Sequence, residues 1–343
     1  MVATVDAVTP LIIDTDPGVD DAFALGLAVA SPEAELLAVT TVFGNVPLST
    51  TTENARRLLT LFGRPDVPVA AGAARPLVYP HPHEGTYAHG SDGLSGRAHT
   101  LPPAVGPTAG TDAVSLILDV LDRSPRPVTI AAVGPLTNIA LLLAAHPGAA
   151  ERIGRLVVMG GGLSRGNTTA AAEFNVWSDP EAAHRVLAVA DVPTTLVPID
   201  LTLRCEVDRA WLDRLAAGGP VGATLAGLTD DYVRHYSPLF GRECTVPHDA
   251  IAVAEAIRPG TLGTERYPVQ VECSFGPARG ATVVDRRPAA YASVFGPIPG
   301  RSIDVAVDTD ADALREHLLT RLSSLPVGRT PAGQPPTGGG SQR

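Results

Sequence analysis

Four carboxylates crowd one short stretch of this chain, Leu11-Ile-Ile-Asp-Thr-Asp-Pro-Gly-Val-Asp-Asp21. An apolar run ends in Asp14 and Asp16, Pro17-Gly18 favours a bend, and Asp20 and Asp21 open the helical pattern Ala22-Phe23-Ala24-Leu25. Two unit charges about 4 Å apart repel by roughly 4 kcal/mol at the effective dielectric near a protein surface. Helix N-terminal N–H groups and a bound cation are two devices that offset such repulsion. Capping accounts for part of the cluster, with Asp16 as N-cap and Pro17 at the first helical position. It explains one or two carboxylates well and four poorly, which leaves a cation site as the sharper expectation.

Two familiar acid motifs do not fit. An EF-hand counted from Asp14 needs Gly at its sixth position and Glu at its twelfth. Those positions hold Val19 and Leu25. A haloacid-dehalogenase-type phosphatase also begins Asp-x-Asp after a strand, but usually carries Thr or Val where this chain has Gly18, and usually wants a lysine. The chain contains no lysine at all. That also excludes a P-loop lysine and a Schiff-base lysine.

Two further groups carry chemistry. Asn167-Thr-Thr-Ala-Ala-Ala-Glu173-Phe-Asn175 places two amides and a carboxylate in a short irregular stretch. Such side chains suit vicinal hydroxyls because they both donate and accept, although Asn167 also suits an ordinary turn. Val246-Pro-His-Asp249 opens a helix over Ala250–Ile257. Taken alone it reads as a capped helix start with a structural histidine.

The elements that would hold these groups alternate. Strands are predicted at Leu11–Asp14, Leu36–Val42, Val67–Ala70, Val128–Val133, Leu156–Met159 and Thr194–Ile199. Helices are predicted at Asp20–Ala30, Thr50–Leu61, Asp112–Asp122, Leu136–Ala145 and Pro180–Val189. This order predicts an α/β fold: an open, mostly parallel, doubly wound sheet with flanking helices. Further on, helices are expected over Leu225–Tyr236 and His248–Ile257. A small C-terminal β element is expected from Tyr267–Cys273, Ala281–Val284 and Ser302–Val307, closed by a helix over Asp310–Leu322. Phe43-Gly-Asn45, Gly134–Asn138, Gly160–Gly162 and Asp200 all follow predicted strands. In a parallel sheet those ends share one edge, where ligands bind. Tyr79–Pro107 is an aperiodic loop of a length that is usually functional or disordered. Residues 1–325 read as one catalytic domain and 326–343 as a disordered Pro/Gly-rich tail.

Composition narrows the class. The formal charge of −10 argues against nucleic acid as a partner, since that needs clustered cations. Three scattered cysteines suggest a reducing compartment. The N-terminus lacks a signal-peptide pattern, and the apolar run Ile139–Ala145 is too short to span a membrane. A soluble cytoplasmic protein without a membrane partner is the expectation.

Taken together, these segments closely resemble the inosine–uridine-preferring nucleoside hydrolases. The markers are Asp14-Thr-Asp-Pro-Gly-Val-Asp-Asp21, Thr40-Thr-Val-Phe-Gly-Asn45, Gly134-Pro-Leu-Thr-Asn138, Val158-Met-Gly-Gly-Gly162, Glu173-Phe-Asn175 and His248-Asp249, in family order to about Leu322. The resemblance implies a Ca²⁺ ion held by Asp16, Asp21, Asp249 and the backbone carbonyl of Val133. It implies hydrolysis of a ribonucleoside's N-glycosidic bond, with Asp20 as general base on the attacking water and His248 as general acid. Asn45, Asn167, Glu173 and Asn175 match the ribose contacts, and His89 matches a loop histidine that closes over the base. Tyr232 and Tyr236, four residues apart on a helix, match positions beside the base. Asp14 is left as a group that orients its neighbours. His81 and His83 are read as solvated loop residues, with no zinc site. The family inference for assembly is a homodimer or homotetramer. A non-catalytic nucleoside or ribose sensor on the same fold is the competing reading, disfavoured because Asp20 and His248 are both present. The preferred base stays open.

Overall fold

The computed structural model describes residues 8–106, 108–288, 290, 294, 296 and 299–326. Eleven strands are formed among them: β1 (Thr9–Thr15), β2 (Ala34–Thr41), β3 (Val69–Ala71), β4 (Val128–Ala132), β5 (Ile153–Met159), β6 (Thr194–Val197), β7 (Val207–Asp208), β8 (Cys244–Thr245), β9 (Gly263–Val271), β10 (Thr282–Val284) and β11 (Arg301–Asp308). Nine of them make one sheet in the order β10-β9-β11-β6-β5-β4-β1-β2-β3, and β7 pairs with β8 in a separate ribbon. The run from β3 to β11 is parallel throughout, while β9 runs antiparallel to both of its neighbours, β11 and β10.

The inner strands are apolar on both faces because helices cover both. Leu11 and Ile13 of β1 point into one core and Ile12 into the other. In β5, Val157 and Met159 join the first core, and Leu156 and Val158 the second. This is period-two alternation between two buried layers, so the sequence shows a continuous apolar run. The first layer includes the helices Val19–Ala30, Arg209–Ala217, His248–Ile257 and Ala311–Ser323; the second includes Ala113–Arg123 and Thr137–Ala145.

Strand order reverses between β1 and β4, which lie side by side although two strands separate them in sequence. That reversal opens a crevice at the carboxyl ends of the strands. Asp14 and Asp16 stand at the end of β1, and Val133 and Gly134 follow β4. The helices Val19–Ala30 and His248–Ile257, buried from Val19 to Ala28 and along the whole second helix, start at this edge. Arg155 of β5 holds the far end of the second helix, with its Nη1 2.8 Å from Glu255 Oε1 and its Nη2 donating to the Ala256 carbonyl at 3.1 Å.

Three expectations are modified. The C-terminal β element is no separate unit: β11 pairs in parallel with β6, so β9, β10 and β11 extend the central sheet. The helix expected over Leu225–Tyr236 is two, Pro220–Gly227 and Asp230–Phe240. Gly227 is a poor helix former, and the acid pair Asp230-Asp231 starts a new helix where its dipole favours negative charge. The Pro180–Val189 helix forms, but His184–Val189 is wound as a π-helix. The expected tail lies outside the described residues except for Pro326, as does the N-terminal stretch 1–7. No helix among the described residues is long and apolar enough to cross a membrane.

Candidate active site

A pocket opens over the crevice. It is lined by Asp20, Asn45, His89, Val133, Asn167, Glu173, Asn175, Tyr232, Tyr236, His248 and Asp249. These expected residues come from widely separated parts of the chain. All but Asn167 are buried. Asp14, Asp16 and Asp21 do not line the pocket but are fully buried near its floor.

The floor is acidic. Carboxylate oxygens of Asp20, Asp21 and Asp249 lie within 4.8 Å of one another. Asp21 accepts hydrogen bonds from Thr15 Oγ1, from the Gly18 amide at 2.7 Å and from Asn45 Nδ2 at 3.2 Å. Asp16 Oδ2 accepts from the Asn45 amide at 2.8 Å, while its Oδ1 is buried without a partner. Gly44, with φ +157°, and Gly134 wall in this carboxylate; a Cβ on either would collide with it. Burial pushes all four of these carboxyls above their ordinary range, and mutual repulsion adds to the shift of Asp16, Asp20 and Asp249. An unpartnered buried carboxylate oxygen beside three converging carboxylates is an arrangement a divalent ion would complete. The oxygen-only donor set suits a hard cation. The acidic cluster can therefore hold a metal ion.

Asp14 sits one layer below. Its Oδ1 accepts from Thr40 Oγ1 at 2.5 Å and Asn138 Nδ2 at 2.8 Å. Burial lifts its carboxyl to about 6, against the pull of those two donors.

Aromatic side chains line the pocket beside the acids, with Tyr232 hydrogen-bonded to Asp20 and His89 Nδ1 3.9 Å from Asp20 Oδ1. His248 Nε2 lies 2.6 Å from Tyr236 Oη. The rings of Tyr232 and Tyr236 meet edge-on with centroids 5.0 Å apart, and Tyr232 lies 4.8 Å from His89. His89 sits on the short helix Thr86–His89 within the long loop, and its Nδ1 accepts from the Val19 amide at 3.1 Å. That bond joins the loop to the acid-bearing helix. Burial, helped by neighbouring histidines, pushes both His89 and His248 down to about 3, so both rings are neutral at pH 7.

A family model described as "Inosine-uridine preferring nucleoside hydrolase" matches residues 11–316. The chain belongs to this family. The nucleoside hydrolase is 40% identical over 317 residues to a pyrimidine-specific ribonucleoside hydrolase, RihA, of Salmonella gallinarum, covering 90% of this chain and 98% of that protein. Its fold is similar to a purine-preferring ribonucleoside hydrolase from Gardnerella vaginalis, with a TM-score of 0.83, 30% identity and coverage of 92% and 99%. It is equally similar to the plant nucleoside hydrolase PpNRh1, with a TM-score of 0.83, 29% identity and the same coverage. The protein is an enzyme, a ribonucleoside hydrolase.

Some placements refine the sequence reading. Both Glu173 oxygens already accept backbone N–H groups, from Asn175 at 2.9 Å, Gly161 at 2.7 Å and Val176 at 3.2 Å, which caps the helix Phe174–Ser178. The Val133 carbonyl accepts from Asn175 Nδ2 at 2.9 Å. Asp200, at the same sheet edge, does not line the pocket; it accepts from the Leu163 and Ser164 amides and holds the loop after β5. His83 is packed between Tyr79 and Trp177, with ring centroids 5.2 and 3.6 Å away, and so is not a freely solvated residue. His81 is exposed.

Sequence reading passed over Tyr87, Met159 and His235, which also line the pocket of the nucleoside hydrolase. Tyr87 and His235 face each other at its mouth with centroids 5.4 Å apart. The available signals were local: Tyr87 lies two residues before His89, and His235 immediately precedes Tyr236.

Glu173 gives a pH prediction. Burial raises its carboxyl from 4.5 to about 7, against three N–H groups that favour the charged form. A raised folded value means that this group's stabilising contribution is complete below about pH 4.5 and is lost as pH rises through about 7. The Glu173→Gln variant has no such titration. The stability of the natural protein relative to Glu173→Gln therefore falls between about pH 4.5 and about pH 7, by on the order of 1–3 kcal/mol in denaturant melts, and is flat above that. A difference that does not move with pH contradicts this.

Proposed function

We propose that this enzyme hydrolyses the N-glycosidic bond of pyrimidine ribonucleosides, in a Ca²⁺-dependent reaction that releases free base and ribose. The observation that carries the reading is one pocket lined both by Asp20 and Asp249 of the acidic cluster and by the hydrogen-bonded Tyr236–His248 pair. Hydrolysis of a glycosidic bond needs both ends served: a nucleophile made at C1′ and a leaving group relieved of its charge.

Asp16, Asp21, Asp249 and the Val133 carbonyl are the proposed ion ligands. Bound Ca²⁺ supplies open coordination positions for water and ribose hydroxyls, and eases loss of a proton from that water. Asp20 takes up the proton of the water that attacks C1′. Asn45, Asn167, Glu173 and Asn175 orient the ribose. The electron-rich floor also stabilises the positive charge of an oxocarbenium-like transition state. At the other end Tyr236 and His248 deliver a proton to the departing base. A neutral His248 at pH 7 makes the Tyr236 hydroxyl the nearer proton, backed by the imidazole. His89 and Tyr232 enclose the base.

The pyrimidine preference rests on the names of the 40%-identical relatives, which are more similar in sequence than the purine-preferring structure. The reading extends to a single catalytic domain over 1–325 and a cytoplasmic homodimer or homotetramer, as the family resemblance implies. A side-by-side assay of uridine, cytidine, inosine and adenosine with Ca²⁺ tests it. The pyrimidine nucleosides are expected to exceed the purines in kcat/KM by about tenfold or more. Purine turnover at equal or higher kcat/KM overturns the base assignment. If all four nucleosides stay intact, or if 5′-nucleotides are preferred, the hydrolase reading itself fails.

A further inference from the structure

His248 is held at both ring nitrogens, and only one of the two partners faces the substrate. Nε2 meets Tyr236 Oη at 2.6 Å. Nδ1 meets Thr202 Oγ1, also at 2.6 Å, outside the pocket lining. Thr202 closes the short helix Ile199–Thr202 that follows β6, is completely buried and does not line the pocket. It has no access to substrate, so any part it plays in the reaction passes through His248.

A neutral imidazole has one N–H and one lone pair in the ring plane, and the partner at one nitrogen decides the role of the other. The shorter contact sets the direction: the Thr202 hydroxyl donates to Nδ1 at 2.6 Å in preference to the Ile199 carbonyl at 3.4 Å. The ring proton then sits on Nε2 and is donated to Tyr236 Oη, which leaves the phenol's own proton free for the departing base and stabilises the phenolate left behind.

We propose that Thr202 is a positioning residue for the leaving-group end of the site: its hydroxyl fixes the ring plane and the Nε2–H tautomer of His248, so that this N–H stays turned onto Tyr236 Oη. The inference rests on the leaving-group role proposed for His248 and Tyr236. Thr202→Val keeps the shape of the side chain and removes the donor to Nδ1. The imidazole can then take the other tautomer, in which the Nε2 lone pair draws the Tyr236 proton to itself and away from the departing base. Thr202→Ser restores the hydroxyl.

The test compares two substrates on Thr202→Val, Thr202→Ser and His248→Ala. Uridine must have its departing base protonated; 4-nitrophenyl β-ribofuranoside expels a stable phenolate that needs no proton. For Thr202→Val, kcat on uridine is expected to fall about 10- to 100-fold, a fraction of what a general acid contributes. KM should stay within about twofold, and turnover of the nitrophenyl riboside within about threefold, as for an effect confined to the chemical step. Thr202→Ser should recover most of the uridine rate. Equal losses on both substrates, as from a packing defect, overturn the proposal, and so does an unchanged uridine rate. His248→Ala separates the two levels. If it spares the nitrophenyl riboside while Thr202→Val does not, only the positioning role fails. If it lowers both substrates alike, the leaving-group reading has failed and the positioning role falls with it.

Discussion

Asp20→Asn lowers kcat on uridine by about 10²–10⁴-fold, the contribution of a positioned general base, with KM changed only a few-fold. The substitution keeps the shape of the side chain and removes only the capacity to accept a proton. The fold should tolerate it. Asp20 is buried, and its carboxyl is pushed up by burial and by the charge of Asp21, so the ionised group is under strain without a cation. An amide relieves that repulsion, and metal-free Asp20→Asn should melt no lower than the natural protein. The geometry leaves a second role possible, because the Asp20 oxygen lies with those of Asp21 and Asp249. Stabilisation by added Ca²⁺ distinguishes the two. A base leaves it intact in Asp20→Asn; a ligand takes it away along with activity. Near-normal kcat in Asp20→Asn contradicts the assignment outright.

Asp249→Ala abolishes both activity and the response to Ca²⁺. A ligand that binds only the folded state stabilises it by about 2.7 kcal/mol when its concentration is 100 times Kd. The natural protein should therefore melt several degrees higher in Ca²⁺ than in chelator. Asp249 is the proposed ligand that arrives from far along the chain and sits on the helix bearing His248, so its loss opens the cluster on that side. Activity should fall by at least about 10³-fold, with the loss concentrated in turnover, since both the attacking water and the ribose lose their anchor. Asp16→Ala should behave in the same way, since it removes the buried Oδ1 that has no partner. If Asp249→Ala still gains stability from Ca²⁺ as the natural protein does, the ion sits elsewhere.

Much of this site was legible in the sequence because its residues lie where strand and helix patterns end. Asp14, Asp16, Val133 and Asn138 flank clear apolar runs, and a parallel sheet must bring such ends to one edge. The 3-2-1-4-5-6 strand order then puts β1 beside β4 and creates the crevice, but no local pattern states which strands become neighbours. The same limit hid the fate of β9 to β11. Their periodicity marks strands, and only the long-range pairing of β11 with β6 makes them part of the main sheet. Glu173 reads as a ribose contact by motif; that reading overlooks its local role as cap of Phe174–Ser178, and its bond from the Gly161 amide depends on the loop after β5 returning to it. Thr202 carries no signal of its own. A threonine after a strand is unremarkable until His248 is folded onto it from 46 residues away.

The most direct test of the account is to strip the natural protein of metal with a chelator, remove the chelator, and titrate Ca²⁺ back while measuring both bound ion and ribose released from uridine. The account predicts negligible ribose release from the stripped enzyme, then activity that rises in proportion to binding and levels off at one ion per chain. Full turnover by the stripped enzyme, or ion binding that saturates without restoring ribose release, would contradict it.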